Sequence, residues 1–163
     1  MPISLWVVAA LLLGGTSALA QDPKGIADSI TCTYDTCALR FEGRHVLRGL
    51  AGHRVLSLGM WGATPLVPFA SRSDSGVTHA AEFDRLYTPG ARWSTLGSLG
   101  LAVTGTLLAL HGELPELSEN EGRIYFGGFA LSLVLFTHGE RRVNRAIHAL
   151  SRAIWWTNRD LAR

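Results

Sequence analysis

Two apolar stretches separated by a short acidic loop constrain this chain more than any other feature. Residues 93–110, WSTLGSLGLAVTGTLLAL, carry no charge between Arg92 and His111. As a helix these eighteen residues reach roughly 27 Å, close to the ~30 Å hydrocarbon core of a bilayer. Residues 124–137, IYFGGFALSLVLFT, number fourteen and reach only about 21 Å. Arg123 at one end, with His138 and Arg141 at the other, can lift polar heads toward the headgroups, which extends a short span. Joined by a connection of about a dozen residues, the two stretches predict a transmembrane helical hairpin.

The start of the chain reads as a signal peptide over residues 1–20. An apolar run, Leu5 to Leu13, is followed by Gly14-Gly15 and then Ala18-Leu19-Ala20, the small-x-small pattern a signal peptidase accepts. The expected organisation is a signal peptide at 1–20, an extracytoplasmic head at 21–92, the hairpin at 93–138 and a basic amphipathic helix at 139–163. A cleaved signal puts the head and the tail on the periplasmic face of a bacterial inner membrane. Charge runs the other way. The loop between the spans holds Glu113, Glu116, Glu119 and Glu121 without a Lys or Arg, whereas Arg85, Arg92, Arg141, Arg142 and Arg145 flank the outer ends. The inverted arrangement, with an uncleaved first segment, satisfies the positive-inside rule. The cleavage site, the shortness of the first segment and the length of the translocated head favour the signal peptide.

Cys32 and Cys37 are the only cysteines. In an oxidising compartment a small-loop disulfide is the expected state, worth roughly 2 kcal/mol in loop entropy. The spacing is not Cys-x-x-Cys, and no thioredoxin-like pattern surrounds the pair. Beyond them, Leu39 and Phe41 alternate with Arg40 and Glu42 before Gly43, which predicts a β-hairpin turning near Glu42-Gly43-Arg44. Residues 49–62 are apolar and punctuated by glycine. Pro65 and Pro68 predict an extended segment there rather than a helix. Residues 71–88 read as a helix capped by Ser73 or Asp74, with Val77, Ala80, Phe83 and Tyr87 on one face. Thr88-Pro89 then reads as the cap and first turn of the transmembrane helix, with a bend between the two.

Catalytic arrangements are sparse. There is no Gly-x-Ser-x-Gly elbow, no His-Glu-x-x-His and no phosphate loop. Ser73, Asp74, Ser75 and His79 lie close in sequence, but capping and a solvated face explain them. His111 and His138 end the two spans on opposite sides of the expected membrane, so one protomer cannot hold haem between them. Neither cofactor nor metal is expected. A formal charge of +2, with no basic patch among aromatics, argues against nucleic acid. Ser94, Ser98, Ala102 and Thr106, with Gly97 and Gly105, and Gly128 with Ser132 on the second span, form small-residue faces that let helix backbones approach.

The tail combines an apolar stripe, Val143, Ile147, Leu150 and Ile154, with Arg141, Arg142, Arg145 and Arg152, and ends in Trp155 and Trp156. That pattern predicts a basic amphipathic helix on lipid headgroups, anchored by its indoles. A continuation of the second span docking on the head is the competing arrangement, with the arginines paired to Asp74, Glu82 or Asp84. The closing run from Leu150 to Asn158 resembles the ending of small bacterial envelope proteins that combine a signal peptide with a two-helix hairpin. The resemblance covers the hairpin and tail and brings no functional residues. Together these features predict a mostly α fold: a transmembrane hairpin, a small α+β extracytoplasmic head and a C-terminal amphipathic helix. The expected role is that of a non-catalytic accessory subunit or envelope interaction protein, with the lipid bilayer and another membrane or periplasmic protein as partners. A membrane-bound enzyme or cofactor carrier using the histidines or the Cys pair is the alternative.

Overall fold

The computed structural model describes residues 32–71, 73–111 and 119–163. The expected signal peptide and part of the acidic loop lie outside them. A single turn of helix, α1 (Tyr34–Cys37), leads into strands β1 (Leu39–Glu42), β2 (His45–Arg48), β3 (His53–Gly59) and β4 (Gly62–Ala63), then a 3₁₀ turn (Val67–Phe69). Two long helices follow, α2 (Asp74–His111) and α3 (Glu119–Leu161).

The four strands form an antiparallel meander in sequence order. The first hairpin turns where the alternation breaks, at Gly43, whose φ of +60° is one that few side chains tolerate. Glu42 faces His45 across that turn, and Leu39 faces Arg48 at the far end. Gly49 closes the hairpin against α1 at φ +69°, and a Cβ there would stand 2.9 Å from the carbonyl oxygens of Asp35 and Thr36. β3 lies within the apolar, glycine-punctuated stretch of residues 49–62 and places Leu56 and Leu58 on the buried face. The two prolines around residue 67 start a 3₁₀ turn rather than an extended segment. Asp84 of α2 holds that turn by accepting the amides of Leu66 (2.8 Å) and Val67 (3.3 Å).

α2 begins where the Ser73 hydroxyl accepts the amide of Gly76 at 3.0 Å, as a capping serine does. It then runs 38 residues, about 57 Å, straight through Pro89. The expected second cap at Thr88-Pro89 is therefore absent. Tyr87 and Ala91 are buried on either side of the proline, and Gly90 packs on α3 beside Arg142 and Val143, so tertiary contact outweighs the missing N–H. α3 runs 43 residues, about 64 Å, antiparallel to α2. The tail is not a separate amphipathic helix but the second half of α3. Both helices cross the boundaries expected at residues 92/93 and 138/139.

A core of Leu39, Val46, Leu56 and Leu58 from the sheet, Ala80, Phe83 and Tyr87 from α2, and Ala146, Leu150 and Ala153 from α3 ties these elements together. This overturns the expected transmembrane hairpin. Among the described residues no helix is long and apolar enough to cross a membrane. The apolar part of α2 is diluted by Ser94, Thr95, Ser98, Thr104 and Thr106. That of α3 ends at His138, after which the helix serves the core around the sheet.

Candidate interaction surface

The helix pair is held by its smallest residues. A Cβ on Gly97 would collide with the backbone of Phe136, and one on Gly139 with the backbone of Ser94. Gly100 lies over the side chain of Ser132, whose hydroxyl donates to the Gly128 carbonyl at 2.8 Å. Of the small residues read from the sequence, Ser94, Gly97, Gly128 and Ser132 lie in this seam, whereas Ser98, Ala102 and Thr106 are exposed and Gly105 meets open space. At the end of this seam nearer the sheet, the Ser94 hydroxyl donates to Glu140 Oε1 at 2.6 Å, which gives a half-buried carboxylate its partner.

Because small residues fill the seam, the large ones point outward. Ile124, Phe126, Leu131 and Val134 remain 61–70 % exposed, and Leu96, Leu99 and Val103 on α2 are exposed as well. The β3–β4 turn adds Met60 and Trp61, with the Met60 carbonyl accepting from Thr95 Oγ1 (2.8 Å) and that of Trp61 from Arg92 Nε (3.3 Å). An apolar surface that wraps an arm on nearly every side is unusual for a helix facing water alone and marks a contact site.

The residues singled out in the tail separate. The stripe expected to meet lipid faces inward, with Leu150 fully buried and Val143, Ile147 and Ile154 packed around it. Arg141, Arg145 and Arg152 point to solvent, while Arg142 is half-buried beside Gly90. None of these four arginines pairs with Asp74, Glu82 or Asp84. Trp155 and Trp156 meet edge to face at 4.8 Å, and Arg159 lies over both rings, at 5.4 and 4.8 Å. Trp155 is exposed and Trp156 half-buried.

Cys32 and Cys37 are joined as a disulfide, with Cα atoms 5.5 Å apart, and Arg48 Nη2 donates to Cys37 Sγ at 2.9 Å. Ser73 is spent on its cap. His79 Nδ1 stands 3.7 Å from Glu82 Oε2 and makes no hydrogen bond. His138 and His148 lie ten residues apart on one helix, roughly 15 Å along its axis. Among the described residues no three His, Cys, Asp or Glu side chains come together in a way that would hold a metal ion.

Sequence reasoning missed Asn158, whose Oδ1 accepts the Leu39 amide (2.7 Å) while its Nδ2 donates to the Leu39 carbonyl (2.6 Å). Nothing in the local sequence signals a bond across 119 residues. No family model, characterised protein or solved structure matches this chain.

Proposed function

We propose that this chain is a non-catalytic accessory or interaction protein of the bacterial envelope. It works by contact, through the apolar outer half of its helix pair. The observation that carries the reading is the exposure of large apolar side chains around that arm, while glycine and serine fill its inside. A paired Cys32–Cys37 near the start of the described chain suits an oxidising compartment, and the signal-like residues 1–20 suit export.

The test is a photo-crosslinking residue placed in cells at Leu99 or Phe126, with Arg54 on the sheet as control. A discrete crosslinked species from the arm positions and not from Arg54 is expected. An arm that captures nothing, or a purified chain that by itself turns over an envelope lipid or glycan, overturns the reading.

A further inference from the structure

One line of residues on α3 stays in solvent along nearly the whole helix. From Ile124 to Arg159 the positions recur at alternating intervals of three and four residues, and every one of them is exposed. That interval keeps residues on one face of a helix. The first third of the line is apolar, with Ile124, Leu131 and Val134. After His138 it turns basic, with Arg141, Arg145, His148 and Arg152, and it ends at Trp155 and Arg159. It lies opposite the stripe that packs on the core.

Its positive charge exceeds the acidic charge beside it. None of Arg141, Arg145 and Arg152 forms an ion pair with a described residue. Glu82 of α2 shares a shallow cleft with Arg145 and Arg152 without forming an ion pair to either, one carboxylate beside two arginines. Glu140 is turned into the seam toward Ser94. A second copy of the chain is a poor occupant of this face. Parallel pairing would set arginine against arginine, and antiparallel pairing would bury unpaired arginines on Ile124, Leu131 and Val134 at a high desolvation cost. A nucleic acid would satisfy the basic part and leave the apolar third facing phosphates.

We infer that this face of α3 lies on a bilayer surface bearing anionic headgroups. The arginines meet lipid phosphates, the indole of Trp155 sits at the headgroup level, and the apolar third reaches the acyl boundary. This deepens the contact role proposed above by naming lipid as what one side of the arm meets, and it leaves Leu96, Leu99 and Val103 on α2 for protein.

Flotation of the purified full chain with vesicles tests it. Binding is expected to vesicles of phosphatidylcholine with about a third phosphatidylglycerol, with little binding to pure phosphatidylcholine, and to weaken in high salt. The triple variant Arg141→Gln, Arg145→Gln, Arg152→Gln touches only exposed side chains and should keep the wild-type helical signal. Its affinity for the anionic vesicles should fall on the order of 100-fold. The variant Leu131→Ser, Val134→Ser should bind those vesicles more weakly while keeping the salt sensitivity. Soluble glycerol phosphate at millimolar concentration should not compete. Equal binding to both vesicle types, full binding by the triple variant, displacement by glycerol phosphate, or no vesicle binding at all overturns the inference. Because no protein partner is present, these outcomes are independent of the crosslinking result that tests the contact role itself.

Discussion

Two side chains carry more of the fold than their local sequence suggests. Asn158 is a double clamp between the end of α3 and the edge of the sheet, satisfying both polar groups of Leu39. Replacing it with alanine leaves a half-buried amide and carbonyl without partners. Asn158→Ala should cost about 2–4 kcal/mol, visible as a lower midpoint in urea. Asn158→Asp keeps the acceptor but sets a carboxylate oxygen against the Leu39 carbonyl, so it should cost at least as much as alanine. Tyr87 offers a different readout. Burial raises its phenol above the ordinary value of 10.0, against a smaller lowering by Arg44, and its hydroxyl donates to the Gly59 carbonyl at 3.3 Å. A raised native pKa means the unfolded chain ionises first as pH climbs. The stability from the neutral phenol is therefore complete below the unfolded pKa, near 10, and is lost as pH rises through the native one. Tyr87→Phe should be slightly less stable at neutral pH, yet decline less between pH 9 and about 11. Parallel alkaline denaturation curves for the two proteins would contradict this assignment.

At the scale of elements, close approach of α2 and α3 depends on which glycines lie in the seam. Gly97→Ala and Gly139→Ala each force a methyl into opposing backbone, which no rotamer can relieve. Each should destabilise by about 1–3 kcal/mol or more. Gly105 and Gly127 face open space, and alanine there should be neutral or stabilise by up to ~1 kcal/mol through helix propensity. Thermal melts of the four variants separate seam from surface, and equal shifts in all four would contradict the packing. The small-residue faces were legible only in part, since Gly97 on α2 and Gly128 with Ser132 on α3 lie in the seam while Ser98, Ala102 and Thr106, spaced by four, face outward. Their mutual register was not legible, because a spacing identifies a face and not its partner. The hairpin at Gly43 was legible from alternation plus a glycine, and the start of α2 from Ser73. β3 was not read as a strand because glycines at 49, 52, 59 and 62 punctuate that stretch, although Leu56 and Leu58 around Ser57 held a period of two. The continuity through Pro89 was hidden because local propensity favours a break there and packing at Gly90 and Ala91 overrides it.

Across the whole molecule, stability is expected to be lopsided. The buried core joins the sheet to residues 80–91 of α2 and 146–153 of α3, whereas the outer ends of the helices share only a narrow seam of small side chains. The sequence showed both apolar stretches but not this division, because a run of hydrophobic residues looks the same whether it faces a core or the outside. The physical distinction lies in what each half buries. Few buried apolar contacts mean a low free energy of local opening, and core segments open only with the whole chain. Hydrogen exchange followed by mass spectrometry on the purified chain should therefore show two classes. Amides of residues 80–91 and 143–157 should exchange at rates set by global unfolding, and those of 100–109 and 124–131 orders of magnitude faster. Adding anionic vesicles should slow exchange in 124–134, where the exposed line is apolar, and leave the core segments unchanged. Uniform protection along both helices in the free chain would mean that the arm is as stable as the core, and the division argued from burial would fail.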